Sequence, residues 1–183
     1  MSAALESLEN TRRSGELVRR EESGVLHLFI ESPVGSLVLH EIAGALAAIE
    51  WRRADSPPET GTTRRPSPLL AAAAQQLDEY FAGRRRSFEL PLAPKGSPFQ
   101  KRVWAEMCRI PYGATARYGD LAETLGTAAQ PIGQACGANP IPIVIPCHRV
   151  VAAGGLGGFS GGAGLTSKRF LLRHEGALAE LDL

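Results

Sequence analysis

The chain has 183 residues, of which 44% are apolar and 21% charged, values that suit one globular domain or one domain with a smaller companion. No apolar run approaches the roughly 18 residues of a membrane-spanning helix, and the N-terminus lacks the apolar stretch of a secretory signal. The three cysteines form no CxxC pair and the four histidines are scattered, which disfavours structural zinc and suits a reducing compartment. We therefore expect a soluble protein of the cytoplasm, or of the nucleus in a eukaryote, that binds no membrane, metal or other cofactor.

The charge is distributed unevenly along the chain. Residues 1–94 hold 11 basic and 13 acidic side chains, whereas residues 95–174 hold nine basic and three acidic ones. The second half is therefore electropositive, which favours a polyanionic or phosphate partner, although a solvated basic face would give the same count.

The first half of the chain predicts a small αβ domain over residues 23–94. Residues 1–22 are charged and lack clean periodicity, which predicts a partly disordered tail. Turn signals at 32–33 and 42–44 separate three apolar segments that predict an antiparallel meander, although the third could also be helical. These segments are 25–30, 35–40 and 45–51.

A helix and a final strand complete this domain in the sequence. Ser67 can cap a helix that starts at Pro68 and runs to Gly83. The three arginines at 84–86 are better explained by a solvated turn than by a phosphate site. Residues 88–92 predict a last short strand.

The second half, residues 95–183, predicts a mainly helical domain. Ser97 and Pro98 open a helix with apolar residues at helical spacing. A short helix over 118–125 ends at Gly126, and another follows with Gln130 as its expected N-cap and Pro131 in its first turn. Two short helices joined by a tight connection predict a helix-turn-helix, so the fold class is α+β.

The second of these helices has an unusually small surface. Residues 131–138 include Gly133, Ala135 and Gly137, which are poor core fillers but allow a close approach to another molecule. The minor groove of DNA is about 6 Å wide, so only a helix with such small side chains could enter it, and only if the groove were widened. Close packing against a neighbouring helix would explain the same composition.

Residues 139–151 are the most distinctive segment. Three prolines stiffen a β-branched, apolar run that ends in Cys147 and His148. We expect this segment, called the cysteine segment below, to be a buried, extended loop that presents a nucleophilic thiol beside a titratable imidazole. An inert core cysteine is the alternative, and Cys136 is better explained as a packing thiol than as a second acceptor.

Two further elements follow the cysteine segment. Residues 152–162, called the glycine loop below, could bring backbone N–H groups close to a ligand, but they match neither nucleotide-phosphate motif. The last helix is expected from about 165 to 174. Glu175, directly after it, could orient His148 if the fold brings the two together.

The run Pro146-Cys147-His148-Arg149-Val150, with Asn139-Pro140 upstream and His174-Glu175-Gly176 downstream, resembles the O6-alkylguanine-DNA alkyltransferases, also called methylated-DNA–protein-cysteine methyltransferases. The resemblance is dense over residues 97–176 and looser over 24–92. It implies an N-terminal αβ domain, a C-terminal domain with a helix-turn-helix of winged-helix type, and a monomer that binds the minor groove of double-stranded DNA. It also implies a single irreversible transfer of an alkyl group from O6-alkylguanine to a cysteine.

The resemblance carries over to particular residues. Cys147 would accept the alkyl group, His148 would act as base through a water, Glu175 would fix its tautomer, and Asn139 would tie the small helix to the cysteine segment. The other implied contacts to DNA or to the flipped guanine are Tyr118, Gln130, Gly133, Ala135, Arg149, Val150 and Ser160.

One departure from the family concerns Gln130, because members usually place there an arginine that fills the gap left by the flipped base. The shorter, uncharged Gln130 should hold the flipped state less well.

Two other functions remain possible. One is a Cys-His hydrolase of papain type, in which the histidine is distant from the cysteine in the sequence, whereas here the two adjoin. The other is a binder of alkylated DNA that does not react.

Overall fold

The computed structural model describes residues 18–20, 25–52 and 66–180. Its first part is an antiparallel four-stranded sheet in the order β1-β2-β3-β4, with strands Val18–Arg20, Val25–Ile30, Leu37–Ile42 and Ala45–Trp51. The expected meander is confirmed, and its third segment is a strand and not a helix. Strand β1 lies within the segment predicted as a tail, and the rest of that segment is outside the described residues.

One face of the sheet packs on helix α1, Pro68–Phe81. Leucines at alternating positions of the strands, such as Leu37 and Leu39, are fully buried with Leu70 and Leu77 of the helix. Ser67 caps α1 as expected, since its hydroxyl accepts a hydrogen bond from the Leu70 N–H at 3.0 Å.

The expected strand at 88–92 is wrong. This segment forms only one bridge, between Leu46 and Leu92, with a hydrogen bond from the Leu46 N–H to the Pro91 carbonyl at 2.8 Å. Pro91 has no N–H to give to a ladder, so the segment lies beside β4 without extending the sheet.

As far as residue 180, the second part contains four α-helices: α2, Pro98–Met107; α3, Tyr118–Leu125; α4, Ala129–Gly137; and α5, Leu165–His174. Ser97 and Gln100 form a reciprocal capping box at the start of α2. Gly126 ends α3 in the left-handed conformation, at φ 64°. Helices α3 and α4 form the expected helix-turn-helix, and the α+β fold class is confirmed. Within the described residues, no helix combines the length and apolarity needed to cross a membrane.

The expected start of α4 is wrong by two residues. Ala128 is the N-cap, so Gln130 and Pro131 are the second and third residues of the helix. Pro131 costs no hydrogen bond there, because the first N–H groups of a helix have no partner within it. The steric bias of a pre-proline residue against helical geometry did not prevail at Gln130.

The cysteine segment is buried as expected, but it is folded and not extended. Residues 141–150 are all buried. The chain turns at Ile143, whose φ is +74°, so that the Ile145 N–H reaches the Ile141 carbonyl at 2.8 Å. A 3₁₀ turn, Cys147–Arg149, follows, and strand β6, Val150–Val151, pairs in parallel with β5, Ala116–Arg117.

Candidate active site

Cys147 lies at a cavity of about 1180 Å³ that opens between the two parts of the molecule. Pro146, at φ −83° and ψ 65°, makes a tight turn in which the Cys147 N–H donates to the Ile145 carbonyl at 2.9 Å. Cys147 begins the 3₁₀ turn, and the residue as a whole is 8% exposed. Local proline geometry therefore holds the sulfur in a fixed position beside the cavity.

Asn139 links the end of α4 to this turn. Its amide Nδ2 donates to the Ile145 carbonyl at 2.8 Å, and its Oδ1 accepts from the Ile141 N–H at 3.0 Å. Burial raises the pKa of the Cys147 thiol, and the nearby Asn139 amide and Lys168 ammonium offset this only in part. The thiol of the free protein is therefore neutral near pH 7.

His148 is fully buried and forms a hydrogen bond with Glu175, with 2.8 Å between Nε2 and Oε1. Burial lowers the pKa of His148, although the Glu175 carboxylate opposes that shift. A neutral imidazole beside an ionised carboxylate carries its proton on Nε2, which leaves the Nδ1 lone pair as an acceptor. Among the described residues, Nδ1 has no hydrogen-bond partner. His148 is thus arranged to accept one proton at Nδ1.

Glu175 is held as an anion by several donors. Arg149 donates from Nε to Oε2 at 2.8 Å and from a terminal nitrogen to Oε1 at 3.1 Å, and the Tyr80 hydroxyl donates to Oε1 at 2.7 Å. Burial alone would raise the pKa of Glu175, but the hydrogen bonds and charges of His148 and Arg149 together lower it to about 2. Arg149, which was predicted to contact DNA, has its side chain buried against Glu175 and the Ile110 carbonyl.

Lys168 is a fully buried lysine that the sequence analysis did not assign to the site. Its Nζ donates to the Val150 carbonyl at 2.6 Å and to the Gly158 carbonyl at 3.2 Å, and it lies 5.9 Å from the centre of the Tyr118 ring. Burial lowers the pKa of Lys168 to about 8. A signal was available, because position 168 falls on the same face of α5 as the buried Leu171 and Leu172.

Tyr80 was also missed, and no local signal could have found it. It lies in α1, 95 positions from Glu175, and only the packing of the two parts brings them together. Most of the positive charge of the second half is exposed. Arg149 and Lys168 are buried, and the other seven of the nine basic side chains in residues 95–174 are exposed.

Helix α4 has one packed face and one open face. Ile132, Ala135 and Cys136 are buried, and the Ala135 carbonyl accepts a hydrogen bond from the Trp104 indole at 2.8 Å. A Cβ built on Gly133 or Gly137 would meet nothing within 4 Å. Close packing therefore explains Ala135 but not the two glycines. Ala135, which was predicted to contact DNA, has its side chain buried on the packed face.

Six of the predicted site residues line the cavity: Tyr118, Gln130, Gly133, Asn139, Cys147 and Ser160. The Tyr118 hydroxyl donates to the Gly158 carbonyl at 3.4 Å, and burial raises the pKa of Tyr118 to about 12, so it remains a donor at neutral pH. Val150 is fully buried and does not line the cavity.

Cys136 also lines the cavity, but its environment is not that of a nucleophile. Its thiol contacts the Met107 sulfur at 3.5 Å, and burial raises its pKa to about 12. Among the described residues, no group of three or more His, Cys, Asp or Glu side chains could hold a metal ion.

Two family models match the chain. The 6-O-methylguanine DNA methyltransferase ribonuclease-like domain matches residues 25–94, and the 6-O-methylguanine DNA methyltransferase DNA binding domain matches residues 98–177. A constitutive methylated-DNA–protein-cysteine methyltransferase of Bacillus subtilis is 40% identical over 156 residues, covering 79% of this chain and 92% of the relative. One of Methanosarcina acetivorans is 37% identical, covering 82% and 98%.

Solved structures give the same result. The Mycobacterium tuberculosis O6-methylguanine methyltransferase has a TM-score of 0.70 at 39% identity and covers 84% of this chain and 93% of its own. The same organism's protein in complex with DNA has a TM-score of 0.69 at 40% identity, with coverage of 81% and 91%.

Proposed function

Since this chain belongs to the methylated-DNA–protein-cysteine methyltransferase family, we propose that it repairs DNA by transferring an alkyl group from O6-alkylguanine to Cys147. One observation carries the proposal. A buried thiol lies at a cavity large enough for a base, directly followed by a histidine whose free nitrogen can accept a proton and whose other nitrogen is paired with a carboxylate.

The open face of α4 supports binding in the minor groove of double-stranded DNA. Gly133 and Gly137 leave room on this face, Gln130 is exposed at the start of the helix, and Arg117 is exposed beside α3. A target atom hidden by stacking requires the nucleotide to be flipped out, at a cost of a few kcal/mol. In this proposal Gln130 fills the gap in the duplex, and the flipped guanine enters the cavity beside Cys147.

The reaction is a displacement at carbon. The Cys147 thiol gives its proton to His148 Nδ1 through a water, the sulfur–carbon bond forms, and the carbon–O6 bond breaks. The electron pair of that bond leaves with guanine, which takes up a proton, so the net products are a thioether and unmodified guanine. Donors such as the Tyr118 hydroxyl and the Ser160 N–H stabilise the charge that develops on the leaving base.

Because burial raises the pKa of Cys147, the thiol ionises only in the complex with alkylated DNA in this proposal. Free thiolate is scarce near pH 7 because the sulfur is buried. Deprotonation is therefore coupled to the arrival of the alkylguanine, when His148 can become an imidazolium stabilised by Glu175. A thioether has no easy route back to a thiol, so each molecule reacts once.

Intact-protein mass spectrometry tests this function. We expect one methylene unit to be added per chain after mixing with an O6-methylguanine duplex, located on the Cys147 peptide, with no further repair once the protein is consumed. Tight binding of the duplex without a mass gain would instead support a binder that does not react. Repeated turnover of an ester or peptide would support a Cys-His hydrolase.

We further propose that the protein acts as a monomer in the cytoplasm, with its DNA-binding and acceptor residues in a domain that begins near residue 95. The seven exposed basic side chains of residues 95–174 support DNA as the partner, because phosphate contacts dominate the affinity of such complexes.

A further inference from the structure

Strand β4 of the N-terminal part forms one wall of the cavity. Ile49, Glu50 and Trp51 of this strand line the cavity together with Arg52, the next residue in the chain. The resemblance places every expected site residue after residue 117, so it gives no role to this wall. Trp51 makes the most specific contacts in it.

Trp51 is held in place by its own domain. Its indole Nε1 donates to the Val34 carbonyl, in the turn between β2 and β3, at 2.9 Å. Its ring meets Phe159 of the glycine loop edge to face, with 6.2 Å between the ring centres and an interplanar angle of 83°. The orientation of the indole is thus fixed before any ligand is present.

The backbone of the glycine loop lies directly against this indole. A Cβ on Gly161 would be 2.5 Å from Cζ3 and 2.6 Å from Cη2 of Trp51, and a Cβ on Gly162 would be 2.6 Å from its Nε1. Carbon atoms that are not bonded to each other pack at about 3.5–4.0 Å, so only glycine permits this approach. By contrast, a Cβ on Gly154 of the same loop would meet nothing within 4 Å.

The same strand also contacts the other wall of the cavity. The Ile49 N–H donates to the Pro140 carbonyl, at the start of the cysteine segment, at 2.8 Å. Strand β4 therefore contacts both the segment that contains Cys147 and the glycine loop that follows it. The glycine loop also contacts the C-terminal part. The Gly158 carbonyl accepts from Lys168 at 3.2 Å and from Tyr118 at 3.4 Å, the Ser160 hydroxyl donates to the Gly137 carbonyl at 3.4 Å, and Leu156 is buried against Leu172.

We propose that Trp51 is a positioning residue that fixes the glycine loop in the conformation that receives the flipped guanine. The inference rests on the proposed function and adds that the N-terminal domain sets the geometry of the site. The physical reason is entropic. Ordering a segment costs backbone conformational entropy, and glycine loses more of this freedom than any other residue. Packing on a rigid indole meets this cost before DNA binds, so that less of the binding energy is spent on ordering the loop.

Two substitutions and their combination test the proposal. Trp51→Ala removes the indole, and Gly161→Ala places a methyl group against it. Hydrogen–deuterium exchange of the glycine loop, affinity for undamaged duplex and the single-turnover rate of alkyl transfer are measured for each variant. Gly154→Ala is the matched control, and Trp51→Phe is the conservative variant.

We expect Trp51→Ala to speed exchange in the glycine loop and to slow alkyl transfer about tenfold, while duplex affinity changes less than about twofold. Trp51→Phe should retain much of the exchange protection of the loop and much of the rate of alkyl transfer. Gly161→Ala should slow transfer in the wild-type background, but it should add little in the Trp51→Ala background, because the clash is then absent. The chain has two tryptophans and Trp104 is buried, so a change in fluorescence on duplex binding should depend on Trp51.

The exchange measurement keeps this inference separate from the proposed function. If the wild type takes up no alkyl group but Trp51→Ala still loosens the glycine loop, the function fails and the positioning role stands. If exchange in the loop is unchanged in Trp51→Ala and Trp51→Phe, the inference is overturned. Fully additive effects of Trp51→Ala and Gly161→Ala on the transfer rate would also overturn it. If Trp51→Ala proves too unstable for the kinetic assay, the exchange measurement on Trp51→Phe decides.

Discussion

Tyr80→Phe isolates the hydrogen bond that joins the N-terminal domain to the His148–Glu175 pair. The substitution removes one hydroxyl and preserves the ring, so it opens no large cavity in the core. The lost bond is 2.7 Å long, buried, and accepted by a carboxylate. Hydrogen bonds to charged groups contribute roughly 1.5–3 kcal/mol, and we expect the lower end because Glu175 keeps its bonds to His148 and Arg149. For a chain of this size that loss lowers Tm by about 3–6 °C.

Tyr112→Phe is the matched control for this prediction. The Tyr112 hydroxyl donates to a neutral acceptor, the His174 carbonyl, at 3.2 Å, so its loss should cost only about 0.5–1 kcal/mol. Both variants are compared by thermal and denaturant unfolding and by the pH dependence of single-turnover alkyl transfer. Without Tyr80 the carboxylate becomes more basic, which raises the pKa of His148 and moves the acidic limb of the rate profile to higher pH. Equal stability losses in the two variants, with no movement of that limb in Tyr80→Phe, would refute the reasoning.

Four further predictions concern the DNA-binding face and the buried charges. Gly133→Leu should weaken duplex binding at least about tenfold with little loss of stability, since a side chain there meets open space; Gly119→Ala is the control, and both are measured by fluorescence anisotropy. Gln130→Arg should raise the affinity for duplex and the rate of repair, and unchanged values of both would show that Gln130 is not a handicap. The pKa of Glu175 is about 2 in the folded chain against an ordinary 4.5, so its stabilising contribution of about 3 kcal/mol is complete above pH 4.5 and is lost as the pH falls towards 2; Glu175→Gln should flatten this part of the stability curve, followed by circular dichroism. Lys168 has a pKa of about 8 in the folded chain against 10.5, so the unfolded state binds more protons between these values and stability should rise there with pH; this rise, measured by denaturant unfolding, should be missing in Lys168→Met.

Local signals in the sequence predicted the elements well. Ser97 followed by Pro98 fixes the start of α2, and Gly126 fixes the end of α3, because capping depends on residues within one turn of the helix end. Two errors arose where competing local signals had to be weighed. Residues 88–92 are apolar enough for a strand, but Pro91 prevents a ladder, and α4 begins two residues before the expected start despite the pre-proline bias at Gln130.

The site divides in the same way. The adjacency of Cys147 and His148 is visible in the sequence, whereas the contacts of Tyr80 to Glu175 and of Trp51 to the glycine loop depend on how two domains pack. The composition of α4 does not show which of its faces is covered, because the Trp104 indole that donates to the Ala135 carbonyl lies 31 positions away in the chain.

The most direct test of the central claim replaces the sulfur of Cys147 by oxygen. Cys147→Ser is mixed in excess with an O6-methylguanine duplex, and the strand is digested and its nucleosides are separated. We predict that the variant binds the duplex and leaves all of the O6-methylguanine intact, whereas the wild type converts one lesion to guanine per molecule. Restoration of guanine by the serine variant would contradict the account.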